Sequence, residues 1–471
     1  MKKRLCAGVN KKGATAVFLV MILASLLLVA GVLIRAAGLS AAKSCGDAVF
    51  QLAGRSLLAE YDRRLFEDYG LFGMRSDEAD AEAKLKHYSE ASLKESLLSR
   101  RSAVWLLPCA ISGWNVDLKS FSLADVDIFE EEIVKDIKFT ALDWAQEHFL
   151  TGAGDKTEAG AGASADAGSG TEEEPRQINN EVIINNLPSK GIQGGGIPIK
   201  SIVENGLPSL TELFNGATRG FYTSEYIFAR FTHAGAPVPA AEHERFFKNE
   251  AEYVIIGKYN DAENLKQVYA YIRLLRFVLN EASIHKDSAK LNKVRVLAAS
   301  ISLLTQGVIP ELVITEVILA VWTAVETGND IKLLQSGGNV ALLKNEANWA
   351  IDLSAVSGLI KGFFKGAGSF AGGIEATAEA SMGKTAIQPS DKSGLSYEGY
   401  LRIFLYFTGR EIKLLRIMDL IQINMKVGYY EAFLLREHYA GIRYEVTMNG
   451  DRYSYVQRYY EDVGGAAEGS E

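Results

Sequence analysis

At 471 residues the chain is about three times an ordinary domain, so more than one folding unit is expected. Hydrophobic residues at 48% and charged residues at 23% match globular usage, which excludes a wholly disordered chain and a polytopic membrane protein. The formal charge of −8, from 50 basic and 58 acidic residues, leaves no basic excess to neutralise a phosphate backbone, which argues against a nucleic-acid partner. The three cysteines, Cys6, Cys45 and Cys109, form no C-x-x-C pattern and fit neither a zinc knuckle nor a disulfide-rich scaffold. One disulfide, Cys45 to Cys109, is available outside the cell.

Ala14 to Ile34 is a run of 21 residues without a charge, long enough as a helix to cross a hydrocarbon core about 30 Å thick. Residues 1–13 carry Lys2, Lys3, Arg4, Lys11 and Lys12 and no acid, so the positive-inside rule predicts a cytoplasmic N-terminus and an exported remainder. A cleaved secretory signal is the competing reading, with Ala36, Ala37, Gly38, Ser40, Ala41 and Ala42 as a small-residue site. Ala24, Ser25, Ala30 and Gly31 are small enough to let the span pack closely on another helix in lipid.

The helical pattern runs on past the span. Ala37, Ala41, Ala48, Leu52, Leu57, Leu58 and Leu65 recur near the helical period up to a break at Tyr69-Gly70. Against one continuous helix of about 50 residues stand Gly38, Gly46 and Gly54, each worth about 1 kcal/mol against alanine in a helix interior. The rest of the 35–150 region reads as mixed α/β, with a charged helix near Glu78 to Leu98, a strand around Val116 to Leu123 and then an acidic helix. Residues 151–206 read as a flexible linker and loops. Between Thr151 and Gln177 almost no large apolar side chain is present to offset ordering entropy, and short apolar runs such as Val182-Ile183-Ile184 follow.

A mainly helical domain is expected over 207–462. Leu265, Val268, Tyr269, Ile272, Leu275 and Leu279 form one apolar face, and further helices are expected at 286–306, 311–327 and 339–355. Val296 to Val325 is nearly apolar enough to span a membrane, but Gln306, Pro310, Glu311 and Glu316 interrupt it, so a buried helix pair is preferred. A Gly, Ala and Ser-rich stretch at 358–394 reads as a mobile loop. Ser396 is placed to cap one long helix from Tyr397 to about Lys426. Over 442–460, alternating residues flank Asn449-Gly450, the pattern of a β-hairpin, and a disordered tail is expected over residues 463–471.

Motifs for chemistry are fragmentary. Met382-Gly383-Lys384-Thr385 ends like a phosphate loop, but Ala378 replaces its first glycine. His243-Glu244 begins like a zinc-protease helix, but Phe247 stands where the second histidine belongs, and the six histidines form no close pair. Asp391-Lys392-Ser393-Gly394-Leu395 is only a partial match to a metal-adhesion loop. Asp125, Asp127, Glu130, Glu131 and Glu132 cluster acidic charge, read as a solvated helix start rather than a cation site. No G-x-S-x-G elbow is present, and no catalytic residue, metal ligand or cofactor is assigned.

The segment Lys11-Lys12-Gly13-Ala14-Thr15-Ala16-Val17-Phe18-Leu19 resembles the start of TadE- and TadG-like pseudopilins of tight-adherence (Flp) pilus systems, in which a basic leader and a glycine precede the span. That family has Val-Glu-Phe, whereas Phe18 follows Val17 directly here. The resemblance extends to membrane-anchored proteins of Gram-positive, clostridia-like bacteria linked with such pilus clusters. It is carried by Ser56 to Asp62, Tyr69 to Gly73, Glu252 to Lys258, Leu395 to Leu405 and Met418 to Gln422. It implies processing between Gly13 and Ala14, a single-pass cell-membrane location, and a minor structural or assembly role whose partners are membrane lipid and other pilus proteins. The alternatives are a membrane-tethered cell-envelope enzyme, or a surface adhesin or sensor presenting the C-terminal tyrosines. The expected fold is α+β, mainly α, with the N-terminal span continuing into a long helix and a C-terminal hairpin.

Overall fold

The computed structural model describes residues 11–98, 111–150, 177–178, 181–190, 219–235, 245–304, 306, 308–364 and 394–460. It is mainly helical with a minority of antiparallel strands, as the sequence predicts, and divides into two units. The first comprises Met1–Phe66, Phe72–Ile128 and Arg436–Glu471; the second comprises Glu67–Leu71 and Phe129–Leu435.

Helix α1 (Lys11–Leu58) dominates the first unit and runs unbroken through Gly38, Gly46 and Gly54. Two of them sit where side chains would not fit. A Cβ on Gly46 would overlap the Met448 side chain, and one on Gly54 would overlap the Tyr444 hydroxyl and the Gln457 amide. The helix therefore gives up intrinsic propensity at these positions in exchange for close approach to a sheet. That sheet has the order β2 (Ile111–Asp117), β4 (Gly441–Met448), β5 (Asp451–Arg458), antiparallel throughout. Asn449 and Gly450 both take positive φ, 56° and 90°, as a two-residue hairpin turn requires. Along β4 the side chains of Ile442, Tyr444, Val446 and Met448 are buried and pack with Val49, Phe50, Ala53 and Leu57 of α1. Helix α3 (Glu78–Leu98) adds Ala81 and Leu85 to the same core, and a short ladder joins β1 (Met74–Arg75) to β3 (His438–Tyr439).

The hairpin thus belongs with the N-terminal helix and not with the domain expected over 207–462. Its partner β2 lies more than 300 residues upstream in the chain, with Trp114 opposite Val446 and Asp117 opposite Arg443. Of the strand expected from Val116 to Leu123 only Val116 and Asp117 are strand: β2 lies upstream of it, ends at Asp117 and gives way to a 3-10 turn at Lys119–Phe121.

The second unit is helical. After the last residues of α2 (Arg63–Tyr69), within which the division falls, it takes in α4 (Val126–Leu150), α5 (Glu181–Asn185), α6 (Arg219–Arg230), α7 (Glu250–Ile256), α8 (Asp261–Lys286) and α9 (Ser288–Leu304). There follow α10 (Glu311–Gln335), α11 (Leu353–Phe364), α12 (Tyr397–Phe407) and α13 (Arg410–Gly428). Residues Val296 to Val325 fall on α9 and α10, whose Ala298, Ile301, Ile314, Ile318 and Trp322 are buried in one core with Val356 and Ile360 of α11. They form a core helix pair, as expected.

Three local expectations change. The helix expected at 339–355 is irregular chain until Leu353, because its backbone is captured from outside: Val340 and Leu395 exchange two hydrogen bonds, and Asn345 and Asn348 cap each other's turn. The start of the 358–394 stretch is helical to Phe364, and residues 365–393 lie outside the described residues. The long helix from Tyr397 is two helices, because the backbone turns extended at Thr408, with ψ of 128°, and Gly409 begins the next one. Ser396 does cap the first, accepting from the Gly399 N–H at 3.2 Å.

Candidate functional site: a membrane-length helix and a buried polar scaffold

Helix α1 is used in two ways along its length. From Val17 to Ile34 the large apolar side chains are exposed, Leu28 by 69% and Ile34 by 73%, whereas Val49, Phe50, Ala53 and Leu57 are buried. Leaving so many leucines and valines in water would be costly, so the first half needs a non-aqueous or protein surround. Among the described residues α1 is the one helix long and apolar enough to cross a membrane. Ala24, Ser25, Ala30 and Gly31 lie on this half, and a side chain on Gly31 would meet nothing within 4 Å. Ser25 returns its hydroxyl to the Ile22 carbonyl at 2.8 Å, which satisfies it within the helix. Gly13 and Ala14 lie within the first turn of α1.

The second half of α1 is fastened by polar contacts. The Tyr444 hydroxyl donates to the Phe50 carbonyl at 2.7 Å, the Tyr455 hydroxyl to Asp47 at 2.8 Å, and the Gln457 amide to the Gln51 carbonyl at 3.0 Å. Lys43 pairs with Asp451 at 2.8 Å. The Tyr444 and Tyr455 rings stack 5.2 Å apart beside Phe50, so the C-terminal tyrosines serve the helix contact. Cys45, also on this half, is a free, partly buried thiol, and Cys109 lies outside the described residues.

In the second unit, charged side chains are buried in numbers that composition did not reveal. Arg276, fully buried on α8, donates from Nε to Asp330 at 3.0 Å and from Nη1 to the Ala341 and Leu342 carbonyls, both at 2.9 Å. Asn280 donates to the same Asp330 oxygen at 2.8 Å. Lys344 pairs with Glu326 and with Asp330, and Glu326 accepts the Ala350 and Ile351 N–H groups at 2.9 and 2.8 Å. These charges replace, for the irregular 339–352 chain, the hydrogen bonds that a helix would have made internally.

A second set surrounds the short helix α7. Arg416 donates to the carbonyls of Val254 and Ile255, both at 2.9 Å, closing the C-terminal end of α7. Glu250 accepts the Thr232 N–H at 2.9 Å, Glu252 the Ala234 N–H at 3.0 Å and the Tyr397 hydroxyl at 2.7 Å. Asp419 accepts the Ser189 N–H at 3.0 Å and the Tyr253 hydroxyl at 2.8 Å. Burial raises the Glu252 carboxyl to about 7 and that of Asp419 to about 6. The segments Glu252 to Lys258, Leu395 to Leu405 and Met418 to Gln422 therefore meet in space through Glu252–Tyr397 and Tyr253–Asp419.

The arrangement is that of a scaffold, because Arg276, Glu326, Arg416, Glu250, Glu252 and Asp419 all hold backbone groups, and Asp330 holds the Arg276, Asn280 and Lys344 side chains. Lys413, which burial lowers to about 8, lies 3.3 Å from the Ser224 hydroxyl. Ser224 sits within α6, is 8% exposed and is hydrogen-bonded to the Gly220 carbonyl at 3.0 Å, which leaves it poorly placed as a nucleophile. The acidic cluster is dispersed: Asp125 accepts the Asp127 and Ile128 N–H groups as a helix cap, Glu130 pairs with Arg410, and Glu131 and Glu132 pair with Lys135. His243-Glu244 and Met382 to Thr385 lie outside the described residues.

Fold and site together define a mainly helical α+β protein with a membrane-length N-terminal helix and a densely hydrogen-bonded second unit. The chain belongs to the family of unknown function DUF5702, whose model matches residues 173–450. That match covers most of the second unit and continues through β4, taking in both buried polar networks. No curated protein and no solved structure matches the chain.

Proposed function

We propose that the protein is a structural or assembly component of a tight-adherence-type pilus system, minor and pseudopilin-like, held in the cell membrane by α1 with its N-terminus in the cytoplasm and its folded units outside. The observation that carries the reading is the division of α1. An exposed apolar half, preceded by Lys2, Lys3, Arg4, Lys11 and Lys12, suits a bilayer or a bundle of like helices, and a packed half couples that surround to a folded head. The resemblance of Lys11 to Leu19 to TadE- and TadG-like leaders supports the pilus assignment. Partners are membrane lipid and other pilus proteins, and no catalytic step is assigned. The adhesin alternative draws nothing from Tyr444, which is buried, or from Tyr455, which is engaged with Asp47.

The test is to shear surface filaments from cells and locate the protein by mass spectrometry. Recovery in filaments, starting at Ala14, is expected of a processed subunit, and recovery in membranes with residues 1–13 retained is expected of an anchored assembly protein. Release into the medium with the whole of α1 removed would contradict both. Gly31→Leu is expected to weaken crosslinking between spans; an unchanged pattern would remove this face as the contact.

A further inference from the structure

We propose that Glu281, His285 and Glu316 form a binding site for a divalent transition-metal ion of the zinc class that pins α8 to α10. The three residues come from two antiparallel core helices, Glu281 and His285 one turn apart on α8 and Glu316 on α10. One ligand atom of each lies within 4.8 Å of the others. That spacing suits a single small cation with imidazole nitrogen and carboxylate oxygen ligands.

The protonation pattern favours a cation. The His285 Nδ1 lies 2.9 Å from the Glu281 backbone carbonyl, which can only accept, so Nδ1 carries a proton. This is the usual outer contact of a metal-bound histidine, fixing the tautomer that turns the Nε2 lone pair outward. Nε2 faces Glu316 Oε2 at 3.5 Å, and Glu281 Oε1 lies 3.7 Å from Nδ1. The second Glu281 oxygen is buried without a hydrogen-bond donor. With Nδ1–H taken up by the Glu281 carbonyl, the Nε2 lone pair and one oxygen of each carboxylate are left within reach of a single ion. A metal ion satisfies all three ligands at once, and water completes the coordination on the exposed side. The helices are already held by the Ile284, Ile314 and Ile318 core beneath, so the ligands are presented by rigid elements.

The experiment uses full-length protein in detergent micelles, stripped with EDTA and dialysed against micromolar zinc, with metal content and thermal unfolding both read. Wild type is expected to take up a saturable zinc that raises Tm. His285→Gln and Glu316→Gln are expected to lose affinity by at least the ~10-fold that removal of an outer-shell partner alone causes. Both variants sit at exposed positions, so their Tm in EDTA should equal that of wild type, whereas His87→Gln, at an exposed histidine of α3, should bind zinc like wild type. Equal zinc uptake by wild type and His285→Gln, or no uptake by wild type, overturns the proposal. So does a zinc-induced rise in Tm that persists in Glu316→Gln.

Discussion

The Tyr444 hydroxyl donates to the Phe50 carbonyl at 2.7 Å, joining two residues 394 positions apart and fixing the C-terminal hairpin to the middle of the N-terminal helix. A carbonyl inside a helix is free to accept this bond only because it has a second lone pair, and the hydroxyl reaches it only because Gly54 leaves room. The pair makes α1 a structural member of the first unit as well as an apolar segment.

Gly54→Ala should therefore destabilise the hairpin although alanine favours helix by about 1 kcal/mol, because the added methyl overlaps Tyr444 and Gln457 and overpacking costs about 1–3 kcal/mol. Gly38→Ala, with open space around it, should have the opposite sign. Hydrogen exchange of β4 and β5 amides checks both. Equal effects would mean that Gly54 is not a packing position.

Glu252 gives a pH dependence of definite direction. Burial lifts its carboxyl from 4.5 to about 7 in the folded chain, so the folded state holds a proton that the unfolded state has lost. Its contribution is complete below about pH 4.5 and declines as pH rises through about 7, by roughly 3 kcal/mol in all. Asp419, lifted to about 6, acts in the same sense at lower pH. Glu252→Gln, which keeps an acceptor for Ala234 and Tyr397, should flatten the decline and be more stable than wild type at pH 8. A variant with the wild-type pH profile would place the titration elsewhere.

Lys344→Met should be strongly destabilising, by about 3–5 kcal/mol, because it leaves Glu326 buried without a cation and Asp330 with Arg276 alone. Adding Glu326→Gln should recover part of that loss, a non-additivity expected of residues in one network. Additive losses in denaturant unfolding would show that the pair does not act as a unit.

Gly257→Ala tests the end of α7. Gly257 has φ of +79° and closes the helix in the left-handed region, which costs a non-glycine residue about 1–2 kcal/mol. Its added methyl would also overlap the Arg416 guanidinium, which holds the Val254 and Ile255 carbonyls. Loss of protection in α7 together with the start of α13 is expected; loss confined to residue 257 would mean that Arg416 adapts freely.

Local signals in the sequence held wherever local chemistry decides the outcome. Asn449-Gly450 makes the turn, Ser396 caps α12, and α3 runs from Glu78 to Leu98 as predicted. The failures come from distant partners. Residues 339–352 look helical, but Arg276 and Glu326 bind their backbone from other helices. The hairpin's attachment to α1 depends on β2, which no short-range pattern announces. The buried charges were illegible because a buried glutamate and a solvated one are the same letter. The Glu281-x-x-x-His285 turn is local but holds a single histidine, and Glu316 joins it only through the packing of α10 on α8.

The central claim, that α1 crosses the membrane with the folded units outside, is tested most directly by labelling intact cells with a membrane-impermeant maleimide. In a background with Cys6, Cys45 and Cys109 replaced by serine, Lys293→Cys, exposed on α9, should label in intact cells, and Lys3→Cys only after permeabilisation. Labelling of Lys3→Cys in intact cells with protection of Lys293→Cys would contradict the account.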